Sequence, residues 1–218
     1  MRILVACEES QEVCKAFRAK GHEAYSCDIQ PCSGGHPEWH INDDVSLLVD
    51  GYNGGYIFFT EDGKRHFIMR WDMLIAFPPC TYLTPAGASN IPKHPERIDE
   101  GWKAKEFFMK FYNADCPKIC IENPPPMKRF CLPAYTQIVS PFMFGEPNGK
   151  KHALWLKGLS ELHPTNIVEV PKAECVWFYK GKRKSMSKWY NTGDIKHRSQ
   201  IRSKTFSSVA IAMAEQWG

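Results

Sequence analysis

Five apolar residues in a row, Met73-Leu-Ile-Ala-Phe77, run without alternation into Pro78, Pro79 and Cys80. A strand with one wet face alternates polar and apolar residues. An unbroken run suits a strand covered on both faces, and such strands belong to parallel sheets flanked by helices. Lys118–Ile121 repeats the pattern and stops at Glu122-Asn123-Pro124, and Arg2–Ala6 does so before the polar turn Cys7-Glu8-Glu9-Ser10. After that turn a helical pattern runs to Lys20, with Val13, Ala16 and Phe17 on one face and Gly21 where a C-terminal cap glycine belongs. Glu23–Ser26 then resumes as a strand that ends at Asp28. Strands alternating with helices predict an α/β fold, a doubly wound, mostly parallel, Rossmann-like sheet.

The rest of the chain fits around this frame. Pro31–His40 reads as a loop, and Asn42-Asp43-Asp44-Val45 leads an apolar stretch to Val49. Tyr56–Phe59 and His66–Met69 flank Asp62-Gly63, a hairpin signal within an excursion at 51–70. Glu96–Asn113 has helical spacing, with Trp102, Phe107, Phe108 and Phe111 for its core face. Phe142–Phe144 and Ala153–Leu156 are expected to pair as edge strands, and Phe206–Trp217 to close the chain as a helix. The organisation expected is a catalytic and cofactor-binding domain at 1–156, a small basic recognition region at 157–203 and a closing helix at 204–218.

With 218 residues, 43% of them hydrophobic, the chain is sized for one domain and too apolar for disorder. Its longest apolar run, Met73–Cys80, contains two prolines and is too short to span a bilayer. The first residues turn acidic too early for a signal peptide, so the expected location is cytoplasmic. Nine cysteines, an odd number with no CxxC pair, read as reduced thiols, and no metal site is expected. The net charge of +4 hides an asymmetry: Lys150–Lys204 carries 13 Lys and Arg against 4 Asp and Glu. A basic segment beside a mildly acidic body suits a nucleic-acid partner.

In doubly wound sheets the loops after the strands form the ligand crevice. The strand ends here carry Glu8 and Glu9, Asp28, Asp43 and Asp44, Pro79-Cys80, and Glu122-Asn123, which a parallel sheet would gather on one rim. A thiol and a carboxyl group, each at the end of a buried strand, suit covalent catalysis on a ring that must be activated: the thiolate adds, and the acid holds a proton at a ring nitrogen. That task calls for a raised carboxyl pKa, which burial beside Pro124 is expected to supply.

These features resemble the C5-cytosine DNA methyltransferases, which use S-adenosyl-L-methionine. Asp72-Met-Leu-Ile-Ala-Phe-Pro78-Pro79-Cys80 is similar to the family's strand ending in Pro-Cys, and Ile119-Cys-Ile-Glu122-Asn123 to its Glu-Asn strand. Phe144-Gly145-Glu-Pro147-Asn148-Gly-Lys150-Lys-His152 resembles its third motif, with Asn148, Lys150 and His152 where Gln and two Arg are usual. The resemblance implies a short, phage-type member in which Cys80 adds to C6 of an extruded cytosine and Glu122 assists at N3. His152 would donate to the base carbonyl. It further implies S-adenosyl-L-methionine bound by Asp28 at the ribose and by Asp44, or else Asp43, at the adenine amino group, with Cys7, Glu8, Ser10, Ile29, Val45 and Pro78 around it. Cys7-Glu8-Glu9-Ser10-Gln11 lacks the family's glycines, which leaves Ser10 and the following helix N-terminus to meet the cofactor's carboxylate.

Lys150, Lys182, Arg183, Lys184, Lys188, Arg198 and Arg202, interleaved with Trp177, Trp189 and Tyr190, are the expected contacts to DNA, duplex or single-stranded. The short recognition region leaves room for a partner protein that supplies specificity. The alternatives are a C5 methyltransferase acting on RNA or a nucleotide, and an inactive, methyltransferase-like DNA-binding protein. An amino-methyltransferase fits less well, because Phe77-Pro-Pro-Cys80 lacks the polar residue that would hold an amino group.

Overall fold

The run at Met73 becomes the central strand of a seven-stranded sheet. The computed structural model describes residues 1–50, 54–170, 175–179, 181–186 and 205–218. In chain order its main elements are β1 (Arg2–Ala6), α1 (Glu12–Ala19), β2 (Glu23–Asp28), β3 (His40–Asn42), β4 (Tyr56–Phe59), β5 (Arg65–Ile68), β6 (Met73–Ala76), α2 (Arg97–Tyr112), β7 (Ile119–Asn123), β8 (Gln137–Val139), β9 (His152–Lys157), β10 (Cys175–Tyr179), β11 (Lys182–Met186) and α3 (Ser207–Trp217). The sheet order is β3-β2-β1-β6-β7-β9-β8. The first five of these strands are parallel to one another, while β9 runs antiparallel to both β7 and β8. This is a mostly parallel α/β sheet of Rossmann-like type.

Burial on both faces explains the unbroken apolar runs. Ile3, Val5, Met73, Ile75 and Cys120 face α1 and α3, while Leu4, Ala6, Leu74, Ile119 and Ile121 pack on the other face with Phe108 and Phe111 of α2. Ile3, Leu4 and Val5 are all at 0% exposure, so alternation has nothing polar to point at. α3 is fastened to the α1 side, where Ser207 Oγ donates to Glu12 Oε2 at 2.7 Å and Ser208 N to Glu146 Oε1 at 2.9 Å. β4 and β5 form the expected hairpin as a separate sheet; Tyr56, Phe58 and Ile68 fill the core, and Ile57, Phe59 and Phe67 are exposed.

Two local expectations are corrected. Phe142–Phe144 is no strand: Pro141–Met143 makes a single 3-10 turn, because Pro141 has no N–H to give a ladder and a φ preset for a turn. Gln137–Val139 pairs with β9 instead, and β9 lies inside the sheet between β7 and β8. Trp102 does not enter the core but is 42% exposed, its ring edge-on to Phe130 at 5.5 Å. Phe130 takes the inner place, stacked over Gly101, where a Cβ would lie 2.1 Å from its Cζ. Among the described residues no helix is long and apolar enough to cross a membrane.

Candidate functional site

The direction of winding changes between β1 and β6, and a doubly wound sheet opens its ligand crevice at that switch point, beyond the strands' carboxyl ends. The carboxyl ends of β1, β2, β3, β6 and β7 all reach this rim. Cys80 therefore follows β6 beside the end of β7, which carries Glu122. Asn123 Nδ2 donates to Pro78 O at 2.8 Å and ties the two strand ends together. Cys80 is partly exposed, and the Glu122 side chain is 15% exposed. Pro78 is buried and Pro79 exposed, so the chain turns outward just before the thiol.

Glu122 meets His152 because β9 runs backwards: its first residue arrives at the rim where β7 ends. His152 Nδ1 and Glu122 Oε1 share a hydrogen bond of 2.5 Å. Burial pushes the Glu122 carboxyl up, but the His152 charge and hydrogen bond, with Lys150 nearby, outweigh it and hold the group below the usual range. The expectation of a raised carboxyl is thus corrected: β7 offers the burial, and β9 brings the His152 imidazole into hydrogen-bond contact, with Lys150 nearby. His152 is 7% exposed, and among the described residues its Nε2 has no hydrogen-bond partner. The ring lines a cavity of about 20 Å³, together with Glu122, Phe77, Lys150, Thr205 and Phe206.

The other side of the rim gathers Cys7, Asp28 and Asp44. Burial pushes the Cys7 thiol far up, and the nearby Asp28, Cys27 and Asp44 push the same way. Asp28 Oδ1 accepts from Gln30 N at 2.9 Å, and Asp44 Oδ1 accepts from Ser46 N at 2.9 Å, which holds the Asp44 carboxyl below its ordinary value. Ile29, next to Asp28 in the chain, is 79% exposed, whereas Val45 is 4% exposed and packs in the core. Glycine is absent from the β1–α1 turn, so Cys7 and Gln11 themselves take left-handed φ values of 59° and 60°.

The α1 N-terminus is not open to a ligand, as the sequence had suggested. Glu8 folds back, accepting from Val13 N at 2.7 Å and Cys14 N at 3.2 Å, and Ser10 is 4% exposed. Glu8 lies five and six residues before these amides, and the turn at Cys7 and Gln11 lets its carboxyl reach back and satisfy two of the donors a helix start leaves unpaired. Burial drives the Glu8 carboxyl up to about 7 against the pull of those two amides.

Lys182, Arg183 and Lys184 lie on β11, which pairs antiparallel with β10. Lys188, Arg198 and Arg202 fall outside the described residues. Sequence reasoning missed a second basic pair, Lys128 and Arg129, both exposed. Met127 N donates to Leu83 O at 2.7 Å, and Phe130 is wholly buried on α2, so the two cations are held beside the loop that carries Cys80. The tripled Pro124-Pro125-Pro126 before them was the available signal, since a stiff segment holds its successors in a fixed place. Gln11 was also missed. Its amide donates to Ser26 Oγ and His36 O and accepts from His36 N, which pins the Pro31–His36 loop over the turn. No family model matches the chain and no curated protein is similar to it.

Proposed function

We propose that the protein is a DNA cytosine-C5 methyltransferase. The observation that carries this reading is the pairing of β6 with β7. It brings a partly exposed thiol and a buried, partly accessible carboxylate to adjacent strand ends, tied by Asn123 to Pro78. Across the switch point, the acids Asp28 and Asp44, with the exposed Ile29 following Asp28, suit a nucleoside: carboxylates for hydroxyl and amino donors, an apolar surface for the ring. These residues fit the nucleoside part of S-adenosyl-L-methionine, and the amides capped by Glu8 would not take its carboxylate. When bound, that cofactor supplies the methyl group that an activated C5 accepts.

The protein's part is to activate the ring. Cys80 Sγ as a thiolate forms a bond to C6, and the electron pair displaced from the C5–C6 double bond makes C5 nucleophilic. Glu122 steadies the adduct by holding a proton at N3. After methyl transfer a base, water included, removes the C5 proton, and the thiolate leaves as the double bond re-forms. Pro78 and Pro79 stiffen the chain before Cys80, which limits the entropy lost in aiming the sulfur. Lys128, Arg129, Lys150 and the basic segment after β9 neutralise phosphates around the extruded base, whose unstacking costs a few kcal/mol.

One observation favours a second reading. With the α1 amides occupied and no glycine in the turn, an inactive DNA-binding relative also fits. The experiment is incubation with S-adenosyl-L-methionine and 5-fluorocytosine in duplex DNA, single-stranded DNA and RNA, since fluorine at C5 blocks proton removal and traps the adduct. The expected result is a covalent adduct with DNA, absent in Cys80→Ser and reduced in Asp28→Ala through weaker cofactor binding. An adduct that survives Cys80→Ser refutes the assigned nucleophile; no adduct and no cofactor binding by calorimetry establish the inactive reading.

A further inference from the structure

We propose that His152 is a positioning residue that stores the proton Glu122 lends to the bound pyrimidine, and that the cavity behind it is a hydration site serving its Nε2–H. This rests on the methyltransferase reading and deepens it.

The buried His152 imidazole and the largely buried Glu122 carboxyl, 2.5 Å apart, share one proton in their hydrogen bond. The imidazole and the Lys150 charge hold the Glu122 carboxyl below its usual range, so the carboxylate is the acceptor and Nδ1 the donor in this bond. As a proton store the ring carries Nε2–H as well, which needs an acceptor, and Nε2 has no partner among the described residues. The cavity beside it has a volume of about 20 Å³, the size that admits one water. Phe77 just after β6, Val139 of β8, Leu154 of β9, and Val209 and Met213 of α3 line it, and Lys150 and Glu122 are the Lys, Arg, Asp or Glu residues among its lining. This opening is far too small for a pyrimidine. His152 therefore acts on the base through Glu122, a different task from donation to the base carbonyl.

The proton balance closes within one turnover. As sulfur bonds to C6, the Nδ1 proton passes to Glu122, and Glu122 gives it to N3; His152 is left neutral. When the thiolate is expelled, N3 returns the proton by the same route, so none is drawn from solvent.

Two measurements test this on the whole protein. In histidine-¹⁵N spectra without substrate, the wild-type His152 ring is expected to stay doubly protonated to a pH at least one unit higher than in Glu122→Gln. Equal titration in the two proteins overturns the proposal. The rate of 5-fluorocytosine adduct formation should fall on the alkaline side at the midpoint read from those spectra. In His152→Gln it should be at least tenfold slower at pH 7 and lack that alkaline fall. A structural role alone would leave the shape of the profile unchanged. A wild-type adduct whose alkaline limb persists in His152→Gln overturns this inference alone. Absence of any wild-type adduct or methyl transfer defeats the methyltransferase reading, and this inference with it. If His152→Gln does not fold, the spectra of wild type and Glu122→Gln still decide the proton's place.

Discussion

Gly101→Ala sets two opposing effects against each other in one residue. Alanine in a helix interior is worth about 1 kcal/mol over glycine, so an open position in α2 would gain stability. Here the added Cβ would lie 2.1 Å from Phe130 Cζ and 2.4 Å from Cε1. Carbon atoms in contact sit about 3.5–4.0 Å apart, so the ring must move by more than 1 Å. Phe130 is at 0% exposure between α2 and the Trp102 ring, and displacing such a ring costs roughly 3 kcal/mol, of the order of overpacking or of partial loss of a buried phenylalanine. The net expectation is a loss of about 2 kcal/mol. In urea unfolding that lowers the midpoint by about 1 M at an ordinary slope. The sign should reverse in a Phe130→Ala background, where the same substitution stabilises by about 1 kcal/mol. Stabilisation of the wild-type background, or the same effect in both, would refute the reasoning. Because Phe130 also anchors the turn whose Met127 N bonds to Leu83 O, Gly101→Ala should slow adduct formation at Cys80 as well.

Glu8 offers a pH test: its carboxyl is raised from 4.5 to about 7, so between those values the folded state binds more protons than the unfolded state and stability falls as pH rises. Above pH 7 the cost is roughly 3 kcal/mol, and Glu8→Gln should therefore be more stable than wild type at pH 8 and lose that advantage at pH 4.5; urea unfolding at both values checks it, and a pH-independent difference counts against it. Lys128→Ala with Arg129→Ala should weaken nucleic-acid binding and reduce its salt slope by about 2, near 0.9 per phosphate contact. Fluorescence anisotropy between 50 and 200 mM salt reads the slope, and an unchanged one removes these cations from the interface.

The frame of the fold was legible wherever burial speaks through composition. Met73–Ala76, Ile119–Asn123 and Arg2–Ala6 are apolar throughout because helices cover both faces, and their order with α1 and α2 implies the parallel sheet. Likewise the Asp-Gly pair announced the β4–β5 hairpin. The failures lie where long-range partners decide. Nothing local in His152 says that β9 will be inserted between β7 and β8, so the Glu122 environment was misjudged. Glu8 reads as a polar turn residue until its carboxylate is seen on Val13 N and Cys14 N. Trp102 has helical spacing for the core, yet Phe130, far along the chain, fills the space first.

The stretch after β9 climbs back along the body. Gln137 and Leu162 exchange hydrogen bonds, Trp217 Nε1 donates to Ser160 O, and Val168 N donates to Phe142 O above the end of β8. The chain's final part re-enters at Thr205 and Phe206, on the wall of the cavity beside His152. Departure near Val168 and return at Thr205 thus fall on the same shore of the molecule. All seven strands of the main sheet lie before the first of these two moorings, so a change of length between them leaves every strand untouched. Length can vary there without disturbing the ladder that holds β6 and β7 side by side.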